Sequence, residues 1–170
     1  MKKSILAILR ALVMVASLLP FGALADDTWT EVDTADKFST ALAAGGNIKL
    51  TGSFIVTDEV NWGVSKNVVL DLNGNSITST FSRTNYYLIT VNGGSLTVMD
   101  NTTEKEGKIE VNASSSKVIG IDGTGSTFTL ESGTVAASYE VLEFKSSAVN
   151  SIVNIIGGTM TAQKGNKTLG

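Results

Sequence analysis

The stretch that most constrains this chain is Asn67 to Thr80, which reads Asn-Val-Val-Leu-Asp-Leu-Asn-Gly-Asn-Ser-Ile-Thr-Ser-Thr. Val68, Leu70 and Leu72 alternate with Val69 and Asp71, the period of a strand with one buried face. Asn73-Gly74-Asn75 interrupts the run, and Gly and Asn tolerate positive φ, so the backbone can bend sharply there. Ser76, Ile77 and Thr78 then resume an extended pattern. Strand, tight corner and strand make one unit, and looser versions of it recur down the chain.

The recurrence has a measurable spacing. Val118-Ile119-Gly120-Ile121 is matched by Val141-Leu142-Glu143-Phe144, 23 positions later. Phe128 to Val135 is matched by Val153 to Met160, 25 later. Leu88-Ile89-Thr90-Val91 stands 30 before Val118, the excess being a polar loop at Asp100 to Gly107. Repeats of this size, each with one apolar strand face, imply a solenoid, because a unit covers its apolar side only with its neighbours. Asn73-Gly74 and Asn92-Gly93 are also strong hairpin dipeptides, and an antiparallel sandwich is the competing architecture. The spacing favours a parallel β-helix in which they serve as corners. The lack of helices between strands excludes a βαβ fold.

One helix is expected ahead of the coils. Asp33 or Thr34 is a suitable N-cap, Asp36 sits in the first turn, and Phe38, Ala41 and Leu42 share one face. Gly45-Gly46 ends it, so the helix is read over Thr34 to Ala44, with Phe38 and Leu42 turned toward the first coil. A short first strand is expected within Asp26 to Val32.

Met1 to Ala25 reads as a signal peptide. Lys2 and Lys3 precede an apolar run from Ile5 to Leu19, then Pro20 and Gly22, and Ala23-Leu24-Ala25 offers a cleavage site. The run resembles signal peptides of exported proteins from Gram-positive bacteria, and a secreted or cell-surface location follows. The expected organisation is 1–25 signal peptide, 26–46 N-terminal strand and helical cap, 47–163 coils and 164–170 polar tail. Residues 26–170 hold ten basic against 16 acidic residues, a net charge of −6. That balance argues against nucleic acid and anionic membrane as partners. No second apolar stretch is long enough to span a membrane. Cysteine and histidine are absent, which removes disulfides and the commonest acid/base and metal ligand.

Asn67 to Thr78, preceded by the helix, Gly45-Gly46 and Asn47-Ile48-Lys49-Leu50, resembles the opening coils of right-handed parallel β-helix proteins of the broad pectate-lyase-like group. Ser132-Gly133-Thr134-Val135 and Gly157-Gly158-Thr159-Met160 resemble the Gly-Gly-Thr-Ile repeats of bacterial surface β-helices. The implied fold is all-β, a right-handed parallel β-helix of about five coils with a short N-terminal capping helix. The same scaffold carries lyases, hydrolases, phage fibres and adhesins, so the resemblance speaks to fold and little to function.

The resemblance implies that an enzyme of this kind would need clustered carboxylates with a Lys or Arg base, or grouped Asp residues. Arg83 is the single arginine after residue 25, and no paired acidic motif follows it. Asp71 is expected to point outward near Lys49 or Thr90, and Asp100 and Asp122 to lie on one side of the stack. Asp71 to Asn75 has alternating oxygen ligands but lacks the glycine position and the closing Glu of a calcium loop, Ser82 standing in that place. No catalytic residue, cofactor or metal site is therefore assigned. The Thr-x-Thr pairs at Thr78/Thr80, Thr127/Thr129 and Thr159/Thr161 lack a fixed offset and read as ordinary strand residues. Trp62, Phe81, Tyr86 and Tyr87 gather near one turn region and are the expected glycan-contacting set, one of the adjacent tyrosines pointing outward.

The expected function is a non-catalytic secreted or cell-surface module for adhesion or for binding glycan or protein. The alternatives are a polysaccharide lyase or hydrolase, or its remnant, and a structural spacer of a longer surface protein. Expected partners are polysaccharide or a surface protein, with self-association through the C-terminal coil.

Overall fold

The computed structural model describes residues 28–162, so the expected signal peptide (1–25) and polar tail (164–170) lie outside the described residues. With strands numbered in chain order, the first sheet stacks β1 (Trp29–Val32), β2 (Gly46–Leu50), β5 (Asn67–Asp71), β8 (Ser95–Met99), β11 (Thr127–Leu130) and β14 (Ile152–Ile155). The second stacks β3 (Phe54–Val56), β6 (Ser76–Ser79), β9 (Lys108–Val111), β12 (Thr134–Ala137) and β15 (Thr159–Ala162). The third stacks β4 (Trp62–Val64), β7 (Tyr86–Asn92), β10 (Ser116–Asp122) and β13 (Glu140–Phe144). Every pairing is parallel. One strand from each sheet makes a turn. β2 to β13 complete four turns, and β14 and β15 begin a fifth.

The molecule is thus a parallel β-solenoid, and the antiparallel sandwich is set aside. The repeat spacings are the registers of the sheets: Ile119 lies beside Leu142, Phe128 beside Val153, and Ile89 beside Ile119. The hairpin-like dipeptides are corners instead. Asn73 and Gly74 both take positive φ, 46° and 73°, and turn the chain from β5 into β6.

The core is a set of columns running along the stack. Ile48, Leu70, Val98 and Leu130 form one, Ile77, Ile109 and Val135 another, and Trp62, Ile89 and Ile119 a third, all buried. Each buried aliphatic side chain contributes roughly 1.5–3 kcal/mol relative to exposure, and a column repeats that gain at every turn.

The helix α1 (Ala35–Ala44) begins one residue later than expected because Thr34 is its N-cap: its backbone is extended and its side chain accepts from the Lys37 amide at 3.4 Å. Gly45, at φ 76°, ends it. Phe38, Ala41 and Leu42 are buried, and the Phe38 ring meets Trp62 edge-on at 4.8 Å and Phe54 at 5.9 Å. The helix covers the first coil as expected. The opposite end is different. Phe144, Val149, Ile152, Ile155 and Ile156 are exposed, Ile156 by 73%.

Two aspartates correct the sequence reading. Asp71 does not point outward; it is 2% exposed. Strand alternation ends at the corner, and there the Asp71 carboxylate accepts the backbone amides of Asn73 (2.9 Å) and Asn101 (3.1 Å). Lys49 is its register neighbour, while Thr90 belongs to the third sheet. Asp100, 1% exposed, accepts the amides of Gly74 (3.0 Å), Thr102 (3.0 Å) and Gly107 (2.6 Å) and the Thr102 hydroxyl (2.8 Å). These donors outweigh burial and hold its carboxyl below the usual range. Asp100 and Asp122 do not share a side: one follows β8 of the first sheet, the other ends β10 of the third.

Candidate functional site

The outer face of the third sheet gathers most of the partly buried charge. Register alone sets two rows there. Tyr87 stands beside Lys117, and Lys117 beside Glu140; Thr90 stands beside Gly120, and Gly120 beside Glu143. Tyr87 is the outward member of the tyrosine pair. Its ring lies across Gly120, where a methyl group would stand 2.8 Å from the ring.

The Tyr87 ring is bracketed by two ammonium groups, Lys117 Nζ at 5.3 Å and Lys145 Nζ at 4.9 Å from its centroid. Both are within cation–π range. The Tyr87 hydroxyl donates to Glu143, as does Lys117, whose ammonium also lies 3.5 Å from Glu140. Lys145 donates to Asp122 at 3.0 Å, and Ser147 donates to the other Asp122 oxygen. Burial, with Glu143 adding to it, pushes the Tyr87 hydroxyl above the usual phenol range. Burial pulls the Lys117 ammonium down, but the Glu143 hydrogen bond and the surrounding negative charge leave it raised. Lys117 and then Tyr87 hold Glu143 low, and Ser147 and then Lys145 do the same for Asp122.

Beside this network runs a groove of about 410 Å³, walled by the segments around Asn61 and Thr84 and floored by Tyr87 and Thr90. Arg83 on its rim pairs with Glu59. A second depression of about 170 Å³ shares Thr84 and Asn85 with the first and is bounded by Ser115, Lys117 and Tyr139.

The structure divides the expected aromatic set. Trp62 is 3% exposed and belongs to the core beneath α1, against Phe38 and Phe54. It shares no surface with the tyrosines, because the third sheet turns its residue 62 column inward. Tyr86, 6% exposed, shapes the groove from below: its hydroxyl accepts the Val60 amide at 3.3 Å and its ring meets Phe81 edge-on at 4.9 Å. That contact ties together the two loops that wall the groove. Phe81 is half-buried against Tyr86 and does not itself line the groove. Tyr87 presents part of its surface to the groove.

The charged candidates also separate. Asp71 and Asp100 lie at corners of the first sheet, Lys108 in the second, Arg83 in the loop before β7 and Asp122 at the C-terminal end of β10. Lys117, Glu140, Glu143 and Lys145 were not singled out from sequence. The signal was present, since adding the repeat spacings to Tyr87 leads to Lys117 and then to Glu140. Among the described residues no group of three carboxylates is placed to hold a metal ion.

Fold and surface together define a parallel β-solenoid with a polar groove on its third sheet. No family model, no curated protein and no solved structure matches the chain.

Proposed function

We propose that this chain is a non-catalytic, secreted or cell-surface binding module whose third sheet contacts polysaccharide through the groove at Tyr87. The observation that carries the reading is the pairing of an aromatic floor with polar walls in one depression of about 410 Å³. Specific sites are concave, with a few placed polar groups. The competing reading, a polysaccharide lyase or hydrolase, draws less support. General acid–base catalysis is best served by a group that titrates near the working pH. Here Glu143 and Asp122 are held low and Lys117 and Tyr87 high, each away from neutrality.

The test is a glycan array with polysaccharide pull-down on residues 26–170, run beside reducing-end and unsaturated-product assays. Binding without products, weakened by Tyr87→Ala, supports the reading. Product formation overturns it in favour of the enzyme. Neither result leaves a structural coil stack.

A second contact rests on a separate observation. From Ser146 to Ala162 the chain carries no charged residue, and Val149, Ile152, Ile155 and Ile156 are exposed there. Uncharged open strand edges pair with other edges. We infer self-association of two copies through these last described strands, the other end of each stack being closed by α1.

A further inference from the structure

We propose that the groove takes an uncharged linear polysaccharide and discriminates against polyanionic ones. The inference rests on the glycan-binding reading and adds the chemical class of the ligand. It starts from how the groups around the groove are already used. The three cations there are matched by carboxylates of the same chain: Arg83 by Glu59, Lys145 by Asp122, and Lys117 by Glu140 and Glu143. Three cations against four carboxylates leave no surplus positive charge to meet a uronate or sulfate. The net charge of −6 over residues 26–170 adds long-range repulsion of a polyanion.

The uncharged groups are in the opposite condition. The side chains of Asn61, Thr84, Asn85 and Thr90 line the groove and make no hydrogen bond to the described residues. Amides and hydroxyls both donate and accept, which is the complement of a sugar hydroxyl. Asn85 is held at φ 60°, a left-handed conformation of the kind that is retained where the surroundings require it. The neutral hydrogen-bonding capacity of this face is therefore free, while its charge is spent internally.

The two depressions meet at Thr84 and Asn85, with Tyr87 in the first and Tyr139 in the second. Tyr139 is 42% exposed. A chain laid across both passes one tyrosine on each side of Asn85. That arrangement suits consecutive rings of an unbranched polymer better than a single sugar.

The experiment is affinity electrophoresis of residues 26–170 through gels containing hydroxyethylcellulose, xylan or galactomannan, and separately polygalacturonate or alginate, at low and high salt. The expected result is retardation by at least one neutral polymer, unchanged by salt, and none by the polyanions. Tyr139→Ala and Asn85→Gly are each expected to weaken it by about tenfold, roughly 1.4 kcal/mol. Asn85→Gly keeps the left-handed backbone while removing the amide, so the fold is retained. Retardation by polyanions alone, abolished by salt, overturns the neutral-ligand inference and leaves glycan binding standing. Neutral retardation insensitive to both variants overturns the placement. Retardation by none of the polymers removes the glycan reading itself.

Discussion

Gly120 lies directly beneath the ring of Tyr87, with 2.8 Å between the site of a Cβ at Gly120 and the ring edge. Its backbone does not need glycine's conformational range; the ring above it needs the space. Gly120→Ala is expected to lift the ring off the sheet, weaken its contacts with Lys117, Lys145 and Glu143, and cost about 1–3 kcal/mol from overpacking. Urea unfolding reads the stability, and near-ultraviolet circular dichroism reads the tyrosine environment.

The aromatic residues should divide by role. Trp62→Ala opens a cavity under α1 and is expected to cost about 3–5 kcal/mol. Tyr87→Ala removes a half-buried outer ring and its cation–π contacts, about 1 kcal/mol, yet should weaken glycan binding. Equal destabilisation by the two substitutions in chemical denaturation would contradict this division.

Asp100→Asn should be costly for its position in a loop. The substituted amide nitrogen cannot accept from the donors that now surround both oxygens, and one buried N–H is left unmatched. The expected loss is about 2–3 kcal/mol. Asp122→Asn, at a partly buried ion pair that still reaches water, is expected to cost less, about 1 kcal/mol by the same measurement.

Stability should fall at both ends of the pH scale. Burial of Glu110 in β9 is outweighed by its pairing with Lys108 at 2.9 Å and by the Thr78 hydroxyl, which donates to it at 3.0 Å. Asp100, Glu110, Asp122 and Glu143 have folded pKa values below their unfolded ones. Their contribution is complete above about pH 4.5 and is lost as pH falls through the folded values. Tyr86, Tyr87 and Lys117 are raised in the folded state. Their contribution is complete below about pH 10 and is lost as pH rises past it. A Tm profile flat from about pH 5 to 9 and falling on either side is the expected outcome. A maximum at either extreme would count against it.

Residues 26–170 should sediment as a concentration-dependent dimer. Val149→Lys with Ile156→Lys places charge at the open end and is expected to yield monomer whose Tm no longer rises with protein concentration. An unaltered sedimentation profile in the double variant would place any association elsewhere.

Architecture was legible in the sequence because stacking is local in pattern. Equivalent strands repeat at 23, 25 and 30 positions, and each spacing became a register between neighbouring strands. The cap was legible from Thr34, the spacing of Phe38 and Leu42, and Gly45. The corners were harder. Asp71 sits at the end of an alternating run, and alternation says nothing about a side chain where the strand stops; amides from the next coil decide its burial. Trp62 was misplaced for a related reason. The grouping of Trp62 with Phe81, Tyr86 and Tyr87 at one turn region ignores strand alternation: Trp62 alternates with the exposed Gly63 and turns inward. The charged network went unseen because Tyr87 and Glu143 are 56 residues apart and on strands that are not neighbours; their hydrogen bond reaches across the intervening β10.

The helix at one end and, among the described residues, the exposed apolar edge at the other give the stack a polarity that matters while the chain is being made. Synthesis begins at the shielded end. The first coil closes against α1, and each later coil finds a finished template beneath it. At every moment of growth the sticky edge is the most recent one, and there is only one of it. A β-solenoid without such a starting block would present two adhesive ends from its first turn onward.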